Sequence, residues 1–411
     1  MENERKSTNN TSEIPVISLQ SDWDDVIFSN KSEVWVSCKF KGKDSVHSKL
    51  KSQGLNLPIC ISSEFSVLAL RPTSIEVRFN PTGHAALFVS PGKIFSAIHD
   101  KSILSLDLSE KGFGVSASTD EKLVVWKAAT GEILRTLPGH LGCIYKCRFF
   151  PSGLVVLSAG VDMQIKIWSA ETGDCPVTLR GHVGAVNDVC VVDRGRNIIS
   201  VSQDGTSKLW DCGNSACLAT IFETTNKLSC CTIGVYQQSE HIARKEPVNE
   251  REIGTKEKIL LAGSIEGFLY GVDIYSRKKV FEIEVGSSVN VILMLSDEVI
   301  VGCQNGAIKI YKLKNVKIPP VIIHETCSPV LCGCVYKQSG FFMGRSDGSV
   351  TFYDSQNYEN KRISLTGSDC DPIYGLSLLG DNILFTCCRD SKIRQYIIAE
   401  IMTKFYKNSV L

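Results

Sequence analysis

Residues of the type used in acyl transfer, His182, Ser200 and Asp204, lie within one short stretch of the chain. In a serine hydrolase the serine attacks the substrate, the histidine takes its proton and the aspartate orients the histidine. The set, completed by Trp210, recurs twice upstream, as His140, Ser158, Asp162 and Trp168, and nearly so as His99, Ser116, Asp120 and Trp126. A hydrolase needs one exposed nucleophile, whereas a structural network recurs in every repeat. The recurrence therefore favours a structural role, and no catalytic residue is predicted.

A metal or cofactor site has weak candidates. Two side chains two residues apart on a strand point to the same face, but the best cysteine and histidine cluster matches no common zinc spacing: His324, Cys327, Cys332 and Cys334. The run from Gly112 to Ala117 passes a loose dinucleotide-binding pattern but lies at a strand with no following helix. We expect no metal, no cofactor and no enzymatic activity.

An internal repeat sets the spacing of these residues. Three segments align without gaps at 115–120, 157–162 and 199–204, each ends in Asp, and a tryptophan follows six residues later. Corresponding positions lie 42 residues apart. Within Ile165–Trp168 apolar residues alternate with polar ones, which predicts a strand with one buried face. The six-residue interval persists in four later pairs, which gives seven units: Glu266 with Val272, Asn305 with Tyr311, Asp347 with Tyr353, and Asp390 with Tyr396.

Repeats of this length with Gly-His marks and one intact Trp210-Asp211 dipeptide resemble the WD40 family, whose fold is a β-propeller. The resemblance implies that His, Ser, Asp and Trp form a buried hydrogen-bond chain in each blade, in which every polar group must be satisfied. Residues 94–97 occupy the place held by outer strands in other repeats. They are predicted to complete the last blade and close the ring.

The predicted fold is all-β: a seven-bladed WD40 β-propeller with a small β-rich N-terminal domain. The predicted bounds are 1–13 for a flexible N-terminus, 14–93 for the small domain, 94–400 for the propeller and 401–411 for a C-terminal tail. Strands of the small domain are expected at 34–40, 67–70 and 75–79. A polar insertion at 236–258 is expected to be a mobile loop between the first two strands of the fourth blade.

Composition narrows the class of partner. The 411 residues carry 45 basic and 44 acidic side chains, a net charge of +1, so dedicated nucleic-acid or acidic-membrane binding is disfavoured. No apolar run approaches the length of a membrane span, and the N-terminus lacks a secretory pattern. We expect a protein of the cytoplasm, with the nucleus as a second location. The 17 cysteines are expected to be reduced, with Cys190, Cys231 and Cys332 near inner strands.

Several segments outside the repeat marks resemble one WD40 family, the proteasomal ATPase-associated factors; they include 20–23, 33–38, 148–158, 192–197, 209–218, 369–374 and 386–390. The resemblance implies a non-catalytic assembly chaperone of the 26S proteasome. It would bind ATPase subunits of the 19S regulatory particle through their C-terminal domains and control assembly with the 20S core. The alternative is a substrate receptor or scaffold in a ubiquitin ligase or another complex. Against it, Gly213 stands where the usual adaptor contact requires Arg.

A partner-binding face follows from the repeat positions that line the top of WD40 propellers. Tyr and Arg are favoured contact residues at protein interfaces. The tentative contact set is Cys143, Tyr145, Asn187, Gln203, Tyr374 and Arg389. The free protein is expected to be a monomer.

Overall fold

A computed structural model describes residues 15–29, 33–40, 42–53, 56–236, 249–324, 326–358 and 362–408. The chain divides into two compact units, Met1–Phe88 and Val89–Leu411. The predicted flexible segment 1–13 lies outside the described residues, and the predicted domain bounds stay a prediction.

The first unit has a core of buried aromatic and aliphatic side chains that includes Trp23, Val34, Val36 and Phe65. Strands β1 to β4 form one antiparallel sheet, and β5, β6 and β7 are neighbours in another. The three strands expected here are confirmed, as β2, β5 and β6. The elements are β1 (Val16–Leu19), α1 (Trp23–Phe28), β2 (Glu33–Lys39), β3 (Val46–Gln53), β4 (Asn56–Cys60), β5 (Phe65–Arg71), β6 (Ser74–Phe79) and β7 (Ala85–Val89).

The second unit is built of short antiparallel strands with a C-terminal helix where a tail was predicted. In chain order its elements are β8 (Lys93–Phe95), β9 (Ile103–Leu108), β10 (Phe113–Ser118), β11 (Leu123–Lys127), β12 (Ile133–Leu137), β13 (Ile144–Phe149), β14 (Val155–Gly160), β15 (Ile165–Ser169), β16 (Val177–Leu179), β17 (Val186–Val192), β18 (Asn197–Ser202), β19 (Thr206–Asp211), β20 (Ala216–Glu223), β21 (Leu228–Val235), β22 (Lys258–Ser264), β23 (Phe268–Asp273), β24 (Lys279–Glu284), β25 (Val289–Leu295), β26 (Glu298–Cys303), β27 (Ile308–Lys312), a 3₁₀ turn (Leu313–Asn315), β28 (Val321–Ile323), β29 (Val330–Tyr336), β30 (Gly340–Arg345), β31 (Val350–Asp354), β32 (Arg362–Leu365), β33 (Ile373–Leu379), β34 (Ile383–Cys388), β35 (Ile393–Ile397) and α2 (Ala399–Asn408).

Four consecutive strands are hydrogen-bonded neighbours in each group from β9–β12 to β29–β32. The first strands of successive sheets lie side by side, from β9 through β13, β17, β21, β25 and β29 to β33, and β33 contacts β9 in turn. The sheets therefore form a closed ring around an axis lined by their first strands. This arrangement confirms the all-β propeller.

The last sheet takes its fourth strand from the start of the unit. Strand β8 pairs with β35 in antiparallel register, with Phe95 opposite Ile393 and Ile94 opposite Arg394. The predicted closing strand is confirmed; it spans Lys93–Phe95 and so begins one residue earlier and ends two residues earlier than expected. Because β35 has a partner on its outer side, β35 is not an edge strand.

The prediction of one buried face for strands such as β15 is wrong. Ile165, Lys166, Ile167 and Trp168 are all buried, and the Lys166 ammonium donates a hydrogen bond to the Thr178 hydroxyl at 3.2 Å. Each sheet packs between two neighbouring sheets, so both of its faces are covered. Alternate residues of the strand lie on opposite faces, and both faces are buried. Lys166 is tolerated there because its ammonium group donates to the Thr178 hydroxyl.

Candidate partner-binding site

The Asp-turn end of the sheets, where the second strand of a blade turns into the third, is organised by the repeated polar set. In one blade His182 Nε2 lies 2.7 Å from Ser200 Oγ, and His182 Nδ1 lies 2.8 Å from Asp204 Oδ2. The Trp210 indole N–H donates to the same Ser200 oxygen at 2.8 Å. With Nδ1–H donated to the carboxylate, Nε2 is the acceptor for the serine hydroxyl. The serine is fully buried and its oxygen is occupied by the indole, so the set forms a structural chain.

The equivalent residues of the preceding blades follow this arrangement to different degrees. His140 contacts Ser158 at 2.7 Å and Asp162 at 2.8 Å, and Trp168 donates to Ser158 at 2.8 Å. In the blade before, His99 reaches Ser116 at 2.7 Å and Trp126 donates to Ser116 at 3.1 Å. The predicted structural residues are thus brought together in each of these sheets.

Burial and hydrogen bonding shift the titration of this network. Burial lowers the pKa of His182, and the nearby Asp204 carboxylate opposes that shift. Burial would by itself raise the pKa of Asp204, but hydrogen bonds from Thr206, the Val183 amide and His182 lower the pKa of Asp204 to about 2. The pair is therefore a neutral imidazole that donates to a carboxylate at neutral pH.

Blades without a tryptophan carry other hydrogen-bonding side chains near their turns. Tyr270 accepts a hydrogen bond from the Asn226 amide at 2.6 Å. Arg345, which is buried, donates to the carbonyl oxygens of Gly306 and Ser328 at 2.8 and 2.9 Å. Arg394 pairs with the turn residue Asp390. Sequence reasoning missed both arginines; the signal that could have found Arg345 is a large cation two residues before the turn Asp347, where other repeats carry Ser118 and Ser202.

The networks also hold loops that present apolar side chains to solvent. Asp162 accepts the Leu141 amide at 3.2 Å, and Asp204 accepts the Val183 amide at 3.0 Å. The side chains of Leu141 and Val183 are nevertheless 75% and 84% exposed. Val161 and Met163, which flank Asp162 in its turn, are exposed as well. We call Leu141, Val161, Met163 and Val183 the loop patch; sequence reasoning missed it, although each Gly-His pair is followed directly by an apolar residue.

A cavity of about 700 Å³ lies on the axis of the ring. Four residues of the predicted contact set line it: Tyr145, Asn187, Gln203 and Tyr374. The Asn187 amide also donates to the Leu228 carbonyl at 2.6 Å, and Gln203 donates to Asn187 at 3.3 Å. The Asn290 amide has the equivalent partners, since it donates to the Val330 carbonyl and, in the opposite direction to the Gln203–Asn187 bond, to Gln304 Oε1. The amides therefore tie neighbouring blades together and place uncharged polar groups at the mouth of the cavity, which Lys146, Arg148 and Asp188 also line.

The other two residues of the predicted set lie elsewhere. Cys143 and Arg389 are not among the residues that line the cavity. The Arg389 side chain is 58% exposed and pairs with Asp371 at 2.8 Å. Whether any of the six contacts a partner stays a prediction.

Deeper on the axis, charged side chains from β13 meet an acidic residue from β17. Lys146 and Arg148 each approach Asp188 Oδ1 at 3.5 Å, and Asp188 accepts the Cys231 amide at 3.0 Å. Arg148 also lines a second cavity of about 580 Å³, together with Asp107, whose pKa is raised by burial. The axis is thus charged in its interior and uncharged at its Asp-turn end.

The described part of the polar insertion packs against the preceding sheet. Arg251 pairs with the buried Asp211 at 3.2 Å, and the Ile253 amide donates to Asn197 at 2.7 Å. Residues 237–248 lie outside the described residues. Residues 249–257 differ from the mobile loop that their composition predicts, because the buried polar groups of Asn197 and Asp211 require partners that this segment supplies.

The metal candidates are not assembled. Across the described parts of the chain, no group of three or more His, Cys, Asp or Glu could hold a metal ion. Cys332 is buried on β29, Cys327 is exposed, and burial raises the pKa of Cys334 to about 12. Of the helices that the structure describes, none is long and apolar enough to span a membrane.

The closed ring of sheets and its repeated His–Ser–Asp–Trp networks define a WD40 propeller protein. The family model for the WD domain, G-beta repeat, matches residues 131–169 and 173–211. Proteasomal ATPase-associated factor 1 of Homo sapiens is 42% identical over 94% of this chain and 99% of its own, and that of Gallus gallus is 44% identical with the same coverage. A Dictyostelium discoideum protein named as a probable member is 34% identical over 95% of this chain and 98% of its own. The chain belongs to the proteasomal ATPase-associated factor 1 family.

Proposed function

We propose that this protein is a non-catalytic assembly chaperone that binds ATPase subunits of the proteasome regulatory particle through their C-terminal domains and controls their assembly with the 20S core. The observation that carries the proposal is the identity to proteins named for association with proteasomal ATPases, which extends over 94% of the chain. The similarity therefore includes the first unit as well as the propeller.

The Asp-turn end of the propeller supplies a surface suited to a protein partner. The loop patch places two strongly exposed aliphatic side chains, Leu141 and Val183, on loops that buried His–Asp pairs hold in place. Exposed apolar groups on fixed loops are typical of interaction sites. The loops are already ordered before binding, so binding loses less conformational entropy. Tyr145 and Tyr374, at the mouth of the axial cavity, add residues favoured at interface hot spots.

The mechanism follows from occlusion and release. A rigid propeller face that covers an ATPase surface prevents any other protein from using that surface. When the competing interface forms with higher affinity, mass action displaces the chaperone. Such a protein needs a stable binding face and no reacting group, and the buried serines of the blade networks agree with that requirement.

The test is affinity purification of the full chain from cells, followed by identification of the co-purified proteins. We expect regulatory-particle ATPases without the 20S core, and direct binding of the purified chain to isolated ATPase C-terminal domains. Recovery with a cullin adaptor and no ATPase would instead support the ubiquitin-ligase receptor. The control is a proteasome preparation already bound to its core, from which the chain should be absent.

We further propose that the free chain is a monomer located in the cytoplasm and the nucleus. The balanced charge of +1 and the closed ring, in which β8 covers the outer side of β35, support a soluble monomer. Light scattering coupled to gel filtration measures the oligomeric state, and imaging of a tagged chain measures the location.

A further inference from the structure

Two cysteines from neighbouring blades meet beside the axis of the propeller. Cys190 lies on β17 and Cys231 on β21, and their Sγ atoms are 3.3 Å apart. Both side chains are buried, at 4% and 2% exposure, within one apolar cluster. A disulfide bond needs about 2.05 Å between the sulfurs, so a small approach of the two side chains suffices.

Charged neighbours favour the thiolate of one member of the pair. The hydrogen bond with Cys231 lowers the pKa of Cys190, Arg148 and Lys146 lower it further, and burial and Asp188 oppose them. The adjacent Cys230 differs, because burial raises its pKa to about 12 and its sulfur faces the Val289 carbonyl at 3.7 Å. Thiolates are the reactive form of cysteine, so Cys190 is the better nucleophile of these neighbours.

Each of the two cysteines lines a cavity. Cys231 lines the cavity of about 700 Å³, and Cys190 lines the cavity of about 580 Å³. Arg148 lines both cavities. A peroxide molecule is far smaller than either cavity.

We propose that Cys190 and Cys231 form a peroxide-sensitive thiol pair, which closes to an intramolecular disulfide between neighbouring blades. The Cys190 thiolate attacks one oxygen of a hydroperoxide, the O–O bond breaks, and Cys190 becomes a sulfenic acid while the leaving oxygen takes a proton as water or alcohol. The Cys231 thiol then attacks the Cys190 sulfur, the S–O bond breaks, and a second molecule of water leaves with the thiol proton. Two thiols lose two electrons and the peroxide gains them.

The bond would tie the first strands of two adjacent sheets at the wall of the axial cavity. It would therefore rigidify the side of the ring that carries Asn187 and Gln203 at the cavity mouth. The proposal rests on the fold and does not depend on the proposed function.

The experiment treats the purified, folded chain with hydrogen peroxide, blocks remaining thiols, and maps tryptic peptides by mass spectrometry without reduction. Trypsin releases Cys190 in the peptide 181–194, whereas Cys230 and Cys231 share the peptide 228–244. We expect these two peptides joined, with the loss of two hydrogen atoms, and separated again by dithiothreitol. Joined peptides should be absent in Cys190→Ser and Cys231→Ser and retained in the matched control Cys230→Ser.

A denatured sample oxidised in parallel gives the pattern of random pairing among the cysteines. Linkage in the folded wild type that matches this random pattern, or only sulfinic acid at Cys190, would overturn the proposal. So would linkage that persists in Cys231→Ser and disappears in Cys230→Ser. If Cys190→Ser does not fold, wild type and Cys230→Ser alone decide the matter, since both retain the proposed pair.

Discussion

His99 Nδ1 and Asp120 Oδ2 lie 3.8 Å apart, whereas the equivalent atoms of His182 and Asp204 are 2.8 Å apart. Among the described residues, neither His99 Nδ1 nor Asp120 Oδ2 has a hydrogen-bond partner. The His–Asp hydrogen bond is thus formed in one blade and not formed at the same repeat position in another. The blade networks should therefore differ in the stability they supply.

Replacement of Asp204 by Ala should destabilise the propeller by about 1–3 kcal/mol, because His182 and the Val183 amide lose their acceptor. Asp120→Ala, the matched control, should cost clearly less, since the bond to His99 is not formed. Thermal unfolding followed by circular dichroism measures both as a lowered Tm. An equal decrease in Tm for the two variants would show that the 3.8 Å separation between His99 and Asp120 does not affect stability.

Acid should remove the contribution of Asp204. Its pKa is about 2 in the folded chain against about 3.9 when unfolded, so the unfolded state binds more protons between these values. The contribution is present above pH 4 and is lost as pH falls through 2, and its size is about 2 kcal/mol. The lowered pKa of His182 has the same sign, since the unfolded imidazole begins to bind a proton near pH 6.5 while the folded one resists it. The Tm difference between wild type and Asp204→Ala, measured from pH 7 to 3, should narrow; a constant difference would contradict the assignment.

Loss of the Phe95 ring should weaken the closure of the propeller. Phe95 is 9% exposed, and its ring centre lies 5.9 Å from that of Trp126 and 6.4 Å from that of Phe385. Phe95→Ala should cost about 3–5 kcal/mol. The neighbouring Ile94, 51% exposed on the same strand, provides the control, and Ile94→Ala should change stability by about 0.5 kcal/mol or less. Urea unfolding distinguishes these values, and a similar midpoint for both variants would argue against β8 as the closing strand.

Two glycines separate steric clash from backbone strain. Gly205 and Gly286 share a φ of +80°, but a Cβ at Gly205 would lie 2.0 Å from the Thr224 carbonyl oxygen, whereas Gly286 has open space. Gly286→Ala should cost about 1–2 kcal/mol from the left-handed conformation alone. Gly205→Ala should cost more, because the backbone must also move. The Tm of each variant is measured. A lower Tm for Gly286→Ala than for Gly205→Ala would contradict the prediction.

A charge in the loop patch should weaken partner binding without unfolding the chain. Val183, 84% exposed, is replaced by Asp, and the control is Val321→Asp on β28, where the valine is 53% exposed. We expect at least a tenfold loss of affinity for ATPase C-terminal domains in Val183→Asp, since a buried carboxylate lacks a partner in an apolar contact. The control should bind as wild type does. Equal binding by all three proteins, measured by calorimetry, would remove the loop patch from the interface.

The sequence predicts features that recur along the chain and misses those that depend on contacts between blades. The 42-residue repeat allowed His182, Ser200 and Asp204 to be predicted as one network, because the same set recurs in the preceding repeat. Lys166 looked solvent-exposed because periodicity within a strand cannot show that another sheet covers its second face. Arg345 was missed because a worn repeat keeps the need for a hydrogen-bond donor but changes the residue that meets it. Cys190 and Cys231 were expected on inner strands, but only the closed ring shows that their sulfurs touch.

The pairing of β8 with β35 joins the two ends of the second unit, so the ring can close only after the whole unit has been synthesised. During synthesis β8 is made first and β35 last. Strand β8 therefore stays unpaired until all of the intervening sheets have been synthesised. Sheets such as β13–β16 consist of consecutive strands and can form as they emerge. Completion of the ring is therefore a late event of high contact order, and an incomplete chain exposes an edge that the finished protein does not have.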